Sequence, residues 1–114
     1  MKLSELKDLG GIVSAAPVRR DLTWNRLSDD GAKSLSDVFT VHILRPSYGT
    51  IERTFSGVDR SRSAALISEL VLFGDAPEFE RISYEDAFQL QPSLALLFTE
   101  AIKEVRQSET PEKS

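Results

Sequence analysis

The sequence predicts an α+β fold in which helices pack against one face of a small antiparallel sheet. Strand-like alternation of apolar and polar residues occurs in the first half of the chain, at 17–24 and 37–55. Helical periodicity follows in the second half, at 59–73, 83–90 and 92–107. A length of 114 residues suits one domain, so we expect 1–107 to form a single globular unit.

A short helix is predicted at 2–9, near the N-terminus. Its leucines recur at every third position, and Gly10-Gly11 follows as a C-terminal stop. Segment 17–24 then places Val18, Arg20, Leu22 and Trp24 on one side, as in a strand with one protected face. Residues 25–36 contain Asp29-Asp30-Gly31 and several serines, which predicts a loop.

A β-hairpin is predicted at 37–55, with 17–24 as a candidate third antiparallel strand. Its first strand, Val38 to Leu44, is rich in β-branched and aromatic residues. Pro46-Ser47-Tyr48-Gly49 has the composition of a turn, and Thr50 to Phe55 is predicted as the returning strand.

The helix predicted at 59–73 begins with Asp59 as its N-cap and stops at Gly74. Its apolar face comprises Leu66, Ile67, Leu70 and Phe73. Leu72 lies off that face, so we expect it to be available for contact with another molecule.

Two further helices are predicted, at 83–90 and 92–107. Ser83 is the expected N-cap of the first, and Pro92 separates the two because it disfavours helix at the preceding residue. One unbroken apolar stripe runs along the second helix, formed by Leu94, Leu97, Phe98, Ala101, Ile102 and Val105. Leu96 lies off this stripe. The polar segment 108–114 is expected to be a flexible tail.

Composition narrows the classes of function. The net charge of −4 argues against general binding to nucleic acid or anionic lipid. Because cysteine is absent, disulfides and thiolate chemistry are excluded. No apolar run approaches the roughly 20 residues of a membrane span, so we expect no membrane association.

No catalytic or cofactor-binding constellation is evident, and the protein is predicted not to be an enzyme. His42 is the single histidine, and no sequence signal places a nucleophile or an orienting carboxylate beside it. Asp29-Asp30-Gly31 lacks the regular spacing of oxygen ligands in a calcium loop, so a solvated turn is the simpler interpretation. We therefore expect neither a cofactor nor a metal.

The candidate partner-binding residues are Arg60, Arg62, Leu72 and Leu96. The two arginines lie where a helix is expected to begin, and a helix dipole disfavours positive charge there. An anion or an acidic partner would explain that placement, whereas simple solvation is the alternative. The two leucines are candidates because each points away from its predicted apolar face; contact with the sheet or simple exposure is the alternative.

One segment resembles a known family: Ser83-Tyr84-Glu85-Asp86-Ala87-Phe88-Gln89-Leu90-Gln91-Pro92-Ser93-Leu94-Ala95. It is similar to the closing part of the tail assembly chaperones of long-tailed, siphovirus-type bacteriophages. The upstream order is similar too, with a Pro-Val…Leu-Thr-Trp segment, a Phe-x-Val pair and a helix that ends at Gly74. The resemblance covers about residues 17–107.

The resemblance implies a non-enzymatic protein of the host cell cytoplasm that is absent from the finished virion. Such a protein binds the tape-measure protein, helps to recruit tail-tube subunits and often forms homo-oligomers. The alternative is a structural tail or head-completion subunit that remains in the virion. A small enzyme or a nucleic-acid binder is a third class, which the single histidine and the negative charge disfavour.

Overall fold

The computed structural model describes residues 1–56 and 61–107, and its α+β fold confirms the predicted class. The helices are α1 (Leu3–Asp8), α2 (Tyr48–Phe55), α3 (Arg62–Leu70), α4 (Tyr84–Phe88) and α5 (Pro92–Gln107). The strands are β1 (Val18–Leu27), β2 (Ser34–Ile43), β3 (Val71–Phe73) and β4 (Glu80–Arg81). The predicted tail at 108–114 lies outside the described residues.

The four strands form one antiparallel sheet in the order β1-β2-β3-β4. Strands β1 and β2 make a long hairpin, in register from Val18 opposite Ile43 to Leu27 opposite Ser34. The turn between them is closed by the Ser28 N–H, which donates to the Lys33 carbonyl at 2.8 Å. Gly31 takes a φ of +71° in that turn, a conformation that glycine adopts without strain. Strand β3 extends the sheet by pairing with β2 at His42 and Ile43.

The hairpin predicted at 37–55 is wrong in its second half. Tyr48–Phe55 is a helix, and Ser47 caps it by accepting a hydrogen bond from the Thr50 N–H at 3.2 Å. The strand predicted at 17–24 is confirmed, and it is this strand that pairs with β2. The loop predicted at 25–36 is shorter than expected. Its two ends belong to the paired strands, because the pairing of β1 with β2 continues to Leu27 opposite Ser34.

The helix predicted at 59–73 is shorter at both ends. It begins at Arg62, and Ser61 caps it by accepting from the Ala64 N–H at 3.1 Å; the cap predicted at Asp59 lies outside the described residues. Its last three predicted residues, Val71–Phe73, form β3 instead. This apolar run satisfies its backbone groups by pairing in the sheet. The short strands β3 and β4 were not predicted.

The two C-terminal helices agree with the sequence prediction. The Ser83 side chain accepts from the Asp86 N–H at 3.1 Å and caps α4. Helix α5 begins at Pro92, whose missing N–H costs nothing in the first turn of a helix.

The core lies between one face of the sheet and helices α3, α4 and α5. The predicted stripe of α5 is confirmed: Phe98, Ala101, Ile102 and Val105 are buried, and Leu94 and Leu97 are partly buried against them. Alternation along β1 places Leu22 in the core, whereas Asp21 and Thr23 on either side are exposed. The architecture is therefore two layers, with helices covering one face of the sheet.

Candidate protein-interaction surface

A groove of about 290 Å³ runs between α3 and α5. We call it the α3–α5 groove; it is lined by Ser63, Leu66, Thr99, Ile102, Lys103 and Arg106. Its apolar part comes from Leu66, which is half-buried, and Ile102, which is buried. Lys103 and Arg106 are exposed at its border. The groove therefore combines an apolar floor with a basic rim.

Leu96 is an exposed apolar residue on the groove side of α5. It precedes Thr99 by three residues and Lys103 by seven, a spacing that places all three on one face of a helix. The Leu96 side chain is 60% exposed. The Thr99 hydroxyl donates to the Leu96 carbonyl at 2.9 Å, so its polar group is satisfied within the helix. The prediction that Leu96 lies outside the core is confirmed, and its role as a contact stays a prediction.

Arg62 lies at the start of α3, four residues before Leu66. Its guanidinium carbon is 4.6 Å from the ring centroid of Phe55, at the end of α2. A cation over an aromatic face is attracted by the ring quadrupole, which offsets the unfavourable helix dipole at this position. Arg62 thus connects α2 to α3 beside the groove. Arg60, the other predicted arginine, lies outside the described residues.

Leu72 is not a surface residue. It belongs to β3, lies opposite His42 and is only 6% exposed. The sequence prediction failed because it extended a helical period of 3.6 residues into a strand, where the period is 2. The structure therefore separates Leu72 from Leu96 and leaves Leu72 unavailable as an exposed contact.

His42 packs against an aromatic ring and an apolar cross-strand neighbour. Its ring centroid lies 4.9 Å from that of Phe79, and Leu72 is its cross-strand neighbour. Its Nδ1 is buried and makes no hydrogen bond to any described residue. Nowhere in the described part of the chain do three histidine or acidic side chains group as metal ligands would.

A second, more polar pocket of about 480 Å³ lies where α2 approaches the end of α3 and β4. Arg45, Arg53 and Arg81 are among its lining residues. Arg53 binds both carboxylate oxygens of Glu69, at 2.8 and 3.4 Å, and this hydrogen-bonded ion pair raises the pKa of Arg53. Arg81 donates from Nε to the Glu69 carbonyl at 3.2 Å. Arg53 and Arg81 therefore hold α2 and β4 against α3.

The sequence prediction missed most of the groove. Helical periodicity placed Leu66 on the apolar face of the helix predicted at 59–73, and Lys103 was not singled out. One sequence signal was available: Leu96, Thr99, Lys103 and Arg106 recur with alternating spacings of three and four, which indicates a second face on α5.

The fold and the groove together define the class: a two-layer α+β protein with an apolar groove bordered by basic side chains. Over residues 4–106 the chain matches the family model described as phage tail assembly chaperone, TAC. The chain belongs to this family, and the resemblance found in the sequence is confirmed. No curated protein and no solved structure gave a match. Among the described residues, no helix has the length and apolar character needed to cross a membrane.

Proposed function

We propose that this phage tail assembly chaperone binds the tape-measure protein and helps to recruit tail-tube subunits, without catalysing a reaction. It works in the host cytoplasm and does not remain in the virion. Membership of the family supports this role. The observation that carries the binding step is the α3–α5 groove, with the exposed side chain of Leu96 on the same side of α5.

The groove suits an amphipathic helix of a client. Apolar side chains spaced three or four residues apart would contact Leu66 and Leu96, as in other helix-in-groove complexes. Lys103 and Arg106 would then lie beside acidic residues of the same client helix. A groove of about 290 Å³ holds only a few side chains, so each contact is weak. Several copies acting together on one long client raise the overall affinity through effective concentration, and we accordingly propose that the protein works as a homo-oligomer.

Replacing Leu96 with Asp tests the client site. A charge placed on this apolar face should lower the recovery of tape-measure protein in co-purification at least about tenfold, equivalent to about 1.4 kcal/mol. Because Leu96 is 60% exposed, the variant should remain folded. Leu27→Asp is the matched control, since Leu27 is 66% exposed but lies on β1, away from the groove.

Equal recovery with Leu96→Asp and wild type would remove this face from the proposal. Recovery lost equally in both variants would point to a general effect of added charge. The protein content of purified particles tests the proposed location, because a protein retained at fixed stoichiometry would be a structural subunit.

A further inference from the structure

The first helix of the chain carries an apolar surface that the rest of the described chain leaves uncovered. Leu3 is 63% exposed, Leu6 43% and Leu9 64%, and α1 contains no buried residue. These leucines are three residues apart, so they form one stripe along the helix. Ile12 follows and is 58% exposed. A cluster of exposed large apolar residues of this kind marks an interaction site.

This helix is nevertheless well defined at both ends. At its start, the Glu5 carboxylate accepts a hydrogen bond from the Lys2 backbone N–H. At its end, the Gly11 N–H donates to the Leu6 carbonyl at 2.9 Å and the Gly10 N–H to the Lys7 carbonyl at 3.0 Å. Gly10 has a φ of +89°, as the left-handed residue of such a stop requires. The apolar stripe therefore lies on a helix that is hydrogen-bonded at both ends.

The α3–α5 groove is long enough to hold this helix. A helix rises 1.5 Å per residue, so the six residues of α1 span about 9 Å. The α5 side of the groove, the eight residues from Thr99 to Arg106, spans about 12 Å by the same rule. The groove and α1 each expose an apolar surface. Because every copy of the chain carries both surfaces, α1 of one copy can cover the groove of another.

Charge favours one orientation of α1 in the groove. Glu5 is four residues before Leu9 and therefore borders the stripe on that side. Lys7 is four residues after Leu3 and borders the opposite side. With Glu5 placed beside Lys103 and Arg106, Lys7 falls on the α3 side. The groove-lining residues of α3, Ser63 and Leu66, are uncharged. The guanidinium of neighbouring Arg62 lies over the Phe55 ring.

We propose that α1 of one copy docks in the α3–α5 groove of a second copy. This inference rests on the proposed function, in which the groove is the binding site for the client. In the absence of the client, α1 of the second copy occupies that site. Two copies that exchange their N-terminal helices satisfy both contacts and leave neither apolar surface exposed. A client helix with the same apolar spacing then binds by displacing α1.

Sedimentation of two double variants tests this contact. Leu3→Asp/Leu6→Asp removes the apolar stripe, and Lys103→Glu/Arg106→Glu reverses the rim. All four side chains are exposed, so both variants should stay folded, as judged by circular dichroism. Wild type should sediment at a multiple of the 12.7 kDa chain mass, and each variant alone at the mass of one chain.

Mixing the two variants is the decisive step. The rim variant keeps an intact α1 and the stripe variant keeps an intact groove, so an equimolar mixture should form a one-to-one complex. Absence of a complex in the mixture overturns the inference. Docking of α1 within its own chain predicts instead that wild type sediments as a single chain. Two other results would also overturn the inference: wild type that sediments as a single chain at its highest soluble concentration, and variants that keep the wild-type mass.

Client binding is measured separately, by co-purification with the tape-measure protein. The stripe variant should retain or increase recovery of the tape-measure protein, because a competitor of the client has been removed, whereas the rim variant should lose it. If no variant and not even wild type recovers the client, the proposed function fails while the sedimentation result still decides the role of α1.

Discussion

Phe98 on α5 meets Phe73 on β3 edge to face, with ring centroids 5.8 Å apart and an angle of 89° between the ring planes. Phe39 on β2 makes a second edge contact with Phe98, at 6.1 Å. Both arrangements are ones that aromatic quadrupoles favour. Phe98 is 1% exposed and therefore joins the longest helix to two adjacent strands of the sheet.

Replacing Phe98 with Ala should lower the free energy of unfolding by about 3–5 kcal/mol, as for other large side chains removed from a core. Denaturant unfolding measures the loss. Phe88→Ala is the matched control: Phe88 is 61% exposed, so its loss should cost less than about 1 kcal/mol. Equal losses in the two variants would contradict the central position of Phe98.

Leu72 and Leu96 should respond oppositely to the same substitution. Leu72→Asp places a charge at a site that is 6% exposed, and the loss of stability should reach about 3 kcal/mol or more. Leu96→Asp should change stability by no more than about 0.5 kcal/mol, because that side chain is 60% exposed. Thermal unfolding of both variants distinguishes them, and a stable Leu72→Asp would argue against the β2–β3 pairing.

The hydrogen bond between Trp24 Nε1 and Ser93 Oγ should couple the hairpin to the start of α5. The two atoms are 3.0 Å apart although the residues are 69 positions apart in the chain. We expect a coupling energy of about 0.5–1.5 kcal/mol in a double-mutant cycle of Trp24→Phe and Ser93→Ala. The Arg26 guanidinium carbon lies 4.3 Å from the centroid of the Trp24 ring. The cycle subtracts the loss of this contact, because Trp24→Phe alters it in both backgrounds. Strictly additive effects would show that the bond is absent in solution.

Asp30 should titrate below its ordinary pKa of 3.8, because the Ser28 hydroxyl and then the Ala32 N–H donate to its carboxylate. A carboxyl whose pKa is lowered by folding contributes stability above its unfolded pKa. That contribution is lost as the pH falls through the lower, folded pKa. NMR titration of the side chain measures the shift. Ser28→Ala should raise the pKa of Asp30 toward 3.8, and an unchanged pKa would contradict the Ser28 hydrogen bond as the main cause of the shift.

Much of the C-terminal half was predictable because its signals are local. Ser83 caps α4 through a residue three positions away, and Pro92 starts α5 by its own covalent structure. The apolar stripe of α5 depends only on helical period, and the side chains that it brings together are near in sequence. The same segment carried the resemblance that the family match confirmed.

The sequence alone thus determined the class of fold, the two C-terminal helices, the α5 face that is buried and the family. Tertiary structure alone decided that Leu72 is in a strand, because β3 exists only where His42 and Ile43 of β2 offer it backbone partners. It also decided the α3–α5 groove, which is a property of two helices packed side by side and of neither one separately. Local chemistry acts over three or four residues, whereas strand pairing and helix packing join residues tens of positions apart.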